Sequence, residues 1–123
     1  MRVPVLKQGP YLIASVQSAL TDEDLVQLRD DLAQMVGRNH SKGVIIDVTA
    51  LDVMDSFAAR TLRSMAATIK LKGAYSIIVG IQPEVAFAMV QLGLSLAGVS
   101  TALDLENGLE LLSKQMEENK DGG

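Results

Sequence analysis

The stretch Val44-Ile45-Ile46-Asp47-Val48, followed by Thr49-Ala50-Leu51-Asp52-Val53-Met54 and then by Asp55-Ser56-Phe57, decides how this chain is read. The first run is β-branched at every position but Asp47. Such near-continuous apolar runs predict a strand covered on both faces. A mixed loop follows, and from Ser56 a helical pattern runs to Lys72-Gly73. The segment is therefore strand, loop, helix, with a hydroxyl and a carboxylate where the helix begins.

Helix geometry sharpens that junction. At about 100° per residue, Ser56, Arg60, Arg63, Ala67 and Lys70 share one stripe. Ala58, Leu62, Met65 and Ile69 share the opposite one. If the apolar stripe packs on a sheet, Ser56 faces solvent with basic residues running away from it. Ser56 can serve as a helix N-cap or first-turn residue, satisfying backbone N–H groups. That is the stronger reading on local sequence; the functional one is a phosphate acceptor, whose phosphate would meet unpaired N–H groups at the positive end of the helix. The two roles are compatible. Asp55 works against the second, because its charge repels a neighbouring phosphate.

Outward from this unit the chain alternates. Val3 to Lys7 and Tyr11 to Gln17 read as strands around a Gly9-Pro10 turn, an antiparallel hairpin. Thr21 caps a helix whose first turn holds Asp22, Glu23 and Asp24, which suits the helix dipole. Leu25, Leu28, Leu32, Met35 and Val36 recur at helical spacing over about 15 residues, and Gly37 with Asn39 to Gly43 ends the helix. Tyr75 to Gly80 is a further strand. Pro83 starts a helix with Glu84 in its first turn. Val85 to Leu94 is apolar almost all round, which predicts deep burial or a subunit contact, and Gly98 breaks the pattern. Thr101 to Leu103 reads as a last short strand, and Asp104 caps a final helix with Leu105, Leu109, Leu112 and Met116 on one stripe. A frayed polar tail is expected from about 117 to 123. The order β-β-α-β-α-β-α-β-α predicts one α/β domain over 1–123, with a mixed, mostly parallel sheet. Ligands of such sheets sit at the carboxyl ends of the strands. Residues Thr49 to Ser56 and Ile81 to Pro83 follow two of those ends.

Composition narrows the chemistry. The chain of 123 residues is 48% hydrophobic, which excludes a disordered tail as the whole answer. It has no cysteine and so no disulfide, thiol nucleophile or thiolate metal site. Its one histidine, His40, lies in a polar loop and reads as surface. A net charge of −4 with two Phe, two Tyr and no Trp gives neither a basic footprint nor a stacking platform for nucleic acid. No apolar run approaches the roughly 18–20 residues that span a bilayer. Met1-Arg2-Val3-Pro4 lacks the pattern of a secretory signal, so a cytoplasmic location is expected. Glycine-rich nucleotide loops, the nucleophile elbow and the paired-histidine zinc motif are all absent. Asp47, Asp52 and Asp55 form the one local carboxylate cluster. Loop and cap positions explain them better than a metal or acid–base site, and no cofactor is expected. A receiver domain would need an acidic pair after its first strand, and Val3 to Ser15 has none.

Four runs together resemble the STAS domain of the anti-sigma factor antagonists: Val44 to Thr49, Met54-Asp55-Ser56-Phe57, Gly80-Ile81-Gln82-Pro83-Glu84-Val85-Ala86, and Thr101-Ala102-Leu103-Asp104-Leu105-Glu106. The strand-loop-Asp-Ser unit is common to the family. The Gly-Ile-Gln-Pro-Glu run with Thr-Ala-Leu-Asp-Leu-Glu is narrower and resembles the RsbS-type scaffold branch of the stressosome. The larger paralogues of that branch carry a sensor domain and a threonine at the acceptor position, where this chain has Ser56. The resemblance implies a non-catalytic scaffold that assembles with itself and with RsbR-type paralogues and sequesters an RsbT-type serine kinase. It implies release of the kinase on phosphorylation of Ser56, and resetting by an RsbX-type phosphatase. Asp55, Phe57, Arg60 and Arg63 are the expected partner-binding residues. The alternative is a free anti-anti-sigma factor that binds an anti-sigma kinase and is inactivated at the same serine.

Overall fold

A computed structural model describes residues 3–18 and 20–122. Two strands open the chain, β1 (Val5–Gln8) and β2 (Tyr11–Ser15), joined by a turn in which Gly9 takes φ +60°. They pair antiparallel, with Leu6 opposite Ile13. The next elements are α1 (Asp22–Asn39), β3 (Gly43–Asp47), α2 (Ser56–Leu71), β4 (Tyr75–Val79), α3 (Pro83–Leu92), β5 (Ser100–Ala102) and α4 (Leu105–Gly122). The sheet order is β1-β2-β3-β4-β5, and every pair after the hairpin is parallel. The expected α/β class and mixed, mostly parallel sheet are therefore observed.

The sheet separates two cores. On one face Leu25, Leu28, Leu32 and Val36 of α1 join Ala58, Leu62, Met65 and Ile69 of α2, with Val85 and Met89 of α3. Leu12, Ala14, Val44, Ile46 and Ile78 supply the strand side of that core. On the other face Ile13, Ile45, Ile77 and Val79 meet Leu112 of α4. Alternate residues of β3 thus enter opposite cores, and Val44, Ile45 and Ile46 are all fully buried, as the continuous apolar run predicted. Two glycines let α4 lie close to the sheet. A Cβ on Gly108 would come within 2.6 Å of Val79 Cγ1, and one on Gly43 within 2.9 Å of a Leu112 methyl.

Several boundaries differ from the sequence reading. β1 begins at Val5, not Val3, and β2 stops at Ser15. α1 passes through Gly37 and ends at His40, whose left-handed backbone (φ 51°) forms the cap. Gly37 is exposed with open space around it, so it costs only its helix propensity, roughly 1 kcal/mol, and does not break the helix. α3 stops at Gly93 (φ +69°), five residues before Gly98. α4 continues helical to Gly122, while Gly123 of the expected frayed tail lies outside the described residues.

Candidate functional site

Asp55 is the residue that starts α2. Its backbone is extended, its Oδ1 accepts from Ala58 N at 2.8 Å, and its carbonyl accepts from Ala59 N at 3.0 Å. Ser56 is therefore the first helical residue and not the cap. Its side chain is exposed. The Ser56 and Phe57 N–H groups stand at the helix start, where no preceding turn supplies a carbonyl. Behind them Met54 is buried at 4% exposure, so the residue before the cap anchors the junction in the first core.

The basic stripe lies where the sequence put it. Arg60 and Lys70 are exposed, Arg63 is half-buried, and Ala58, Leu62, Met65 and Ile69 on the opposite stripe are buried. Phe57 is half-buried. The other hydroxyls of α2 are committed or sheltered. Thr61 is buried and donates to the Phe57 carbonyl at 2.8 Å, and Ser64 is half-buried.

The three aspartates do not converge. Asp47 Oδ1 accepts from Thr49 N at 2.9 Å and from Thr49 Oγ1 at 2.6 Å. Asp55 holds its cap bond, and Asp52 is exposed. Among the described residues no group of three or more His, Asp or Glu side chains is placed to hold a metal ion. Among them, too, no helix is long and apolar enough to cross a membrane.

Sequence reasoning missed the residues beneath the loop. Gln82 Nε2 donates to the Thr49 carbonyl at 2.6 Å, joining segments 33 residues apart. Val48 N donates to the Val79 carbonyl at 3.0 Å, which keeps β3 and β4 paired up to that point. Gly80 has φ +81°, and a Cβ there would overlap Thr49 Oγ1. Gly80 and Gln82 stood in plain view as residues around a turn, but no local pattern assigns them to Thr49.

α3 leaves an apolar surface uncovered. Phe87, Val90 and Leu92 are 65%, 79% and 69% exposed. The burial expected of this helix holds for Val85 and Met89, which turn inward, while its other apolar residues face solvent.

Comparison with known proteins bears on this arrangement. A family model described as the STAS domain matches residues 2–106. The RsbT co-antagonist protein RsbRA of Bacillus subtilis (strain 168) is 31% identical over 108 residues. That match covers 88% of this chain but 39% of the relative, so this chain spans well under half of that protein's length. A serine-to-glutamate variant of RsbS from Moorella thermoacetica superposes with a TM-score of 0.81 at 33% identity, covering 95% of this chain and 99% of that one. A chain from a structure of the stressosome, described as a signal integration and transduction hub, gives a TM-score of 0.77 at 34% identity, covering 92% and 98%.

Proposed function

Since the chain belongs to the STAS domain family, we propose that it acts by partner switching, as a non-catalytic scaffold of a stressosome-type complex that holds an RsbT-type serine kinase until Ser56 is phosphorylated. The observation that carries this reading is the exposed Ser56 hydroxyl at the first helical position of α2, with Arg60 one turn on. A phosphate there adds a charge of about −1.5 to −2. The free N–H groups of the first turn and Arg60 favour that charge, and the Asp55 carboxylate opposes it. The result is a surface whose potential reverses locally on modification, which is how an added phosphate dislodges a docked partner. Asp55, Phe57, Arg60 and Arg63 border the serine and form the contact surface for the kinase. An RsbX-type phosphatase restores the hydroxyl. The site offers no nucleophile–base pair, and the chain works in the cytoplasm as a binding module.

The uncovered apolar side of α3 favours the scaffold over a free anti-anti-sigma factor. Phe87, Val90 and Leu92 suit permanent association with copies of this chain or RsbR-type paralogues better than life as a monomer. The test combines chain, RsbT-type kinase and ATP. Phosphate maps to Ser56, and Ser56→Ala retains the kinase after ATP is added. Phosphate at Ser64 or Thr61, with Ser56 unmodified, overturns the reading.

A further inference from the structure

We infer that Gln82 is a positioning residue for phosphoryl transfer to Ser56, tying the loop that presents the serine to the turn between β4 and α3; this rests on the reading of Ser56 as the acceptor. Residues 48–55 contain neither helix nor strand. Within the loop, Leu51 N bonds back to the Val48 carbonyl at 2.9 Å, and Leu51 and Met54 pack against the first core. Asp52 and Val53 stand out in solvent. Left to these anchors alone, the loop root could swing on the end of β3.

Gln82 removes that freedom. It is the N-cap residue of α3, yet its side chain makes no capping bond to that helix. It precedes Pro83, which holds it extended (φ −64°, ψ 145°), away from helical geometry. Its amide is spent instead on Thr49, whose N–H and hydroxyl are already engaged by Asp47. The carbonyl and both donors of Thr49 are thus fixed from two sides, by Asp47 at the end of β3 and by Gln82 in the β4–α3 turn. Gly80 allows β4 to pass close enough for this, since any side chain there would collide with Thr49. The β3–α2 loop and the β4–α3 turn consequently form one rigid surface. A kinase that docks on both meets Ser56 at a set position, which is the condition for efficient transfer.

The acceptor on Thr49 is main-chain, so the test changes Gln82. Gln82→Glu keeps the shape but replaces the amide donor by acceptor oxygens; Gln82→Ala removes the group. Wild type and both variants are compared by phosphorylation kinetics with an RsbT-type kinase and by amide hydrogen exchange. Both variants should lose kcat/KM by on the order of tenfold, as an acceptor displaced by a fraction of an ångström does. Their amides from Thr49 to Phe57 should exchange faster, while those of β3 and β4 match wild type. Wild-type kinetics and exchange in Gln82→Glu overturn the inference and leave the acceptor assignment standing. A wild-type chain that takes no phosphate at Ser56 overturns the acceptor reading itself.

Discussion

Replacing Gly80 by alanine strikes the contact between β4 and the root of the Ser56 loop. Two penalties act together. The backbone has φ +81°, which costs a residue with a Cβ roughly 1–2 kcal/mol. The new methyl also overlaps Thr49 Oγ1, so Thr49 must rotate and give up its 2.6 Å bond to Asp47. That bond is exposed, so about 1 kcal/mol is a fair figure for it, below the roughly 1.5–3 kcal/mol of sheltered bonds to charged groups. Reduced freedom of the unfolded chain offsets about 0.4–1 kcal/mol. The net expectation is a loss of about 2 kcal/mol, or roughly 6–10 °C in Tm for a domain of this size. Urea and thermal denaturation followed by circular dichroism measure it. The double variant Gly80→Ala with Thr49→Ala isolates the collision, because no hydroxyl remains to displace. The cycle should return a favourable coupling of about 1 kcal/mol. Strict additivity, or a Gly80→Ala loss below about 0.5 kcal/mol, would refute the close approach described for these strands.

Three further outcomes are expected. Asp55→Ala removes the bond to Ala58 N and should lower stability by about 1 kcal/mol in urea titration, while Asp55→Asn, which also caps, should stay within a few tenths. Phe87→Ser with Val90→Ser should leave the urea midpoint of the isolated chain near wild type but abolish the large particle formed with an RsbR-type partner on size-exclusion chromatography. Asp24 closes a reciprocal cap with Thr21, and the Thr21 N–H bonded to its carboxylate holds its pKa below the ordinary 3.8. A depressed folded pKa contributes stability above the unfolded value and loses it as pH falls through the folded one. Asp24→Asn should therefore flatten the acid limb of stability against pH below about 4; an unchanged limb refutes the cap's role.

Much of the architecture was legible because it obeys periodic rules. The continuous run at Val44 to Val48, the Gly9-Pro10 turn and the leucine spacing of α1 each specify an element without tertiary information. The misread helix ends are places where glycine had two meanings. Gly37 sits on the open side of a helix and is tolerated there, while the break in the pattern that Gly98 marks in sequence comes earlier in the structure, at Gly93, which adopts the left-handed cap. At the site, Asp55 and Ser56 are both good caps, and only the backbone decides that Asp55 takes the role. The Thr49–Gln82 bond joins two loops far apart in sequence, and its existence depends on β3 and β4 being neighbours. Nothing local encodes it.

The second face of the sheet has one cover, α4, seated through Gly43 and Gly108. That helix leaves the ribosome after all five strands. Until it arrives, Ile45, Ile77 and Val79 form an open apolar plane on a sheet whose other side is already closed by α1 and α2. Nascent chains of this kind are vulnerable in that interval, because an uncovered sheet face recruits its neighbours. Residues 105–122 thereby act as the step that closes the second core and commits each chain to its own fold.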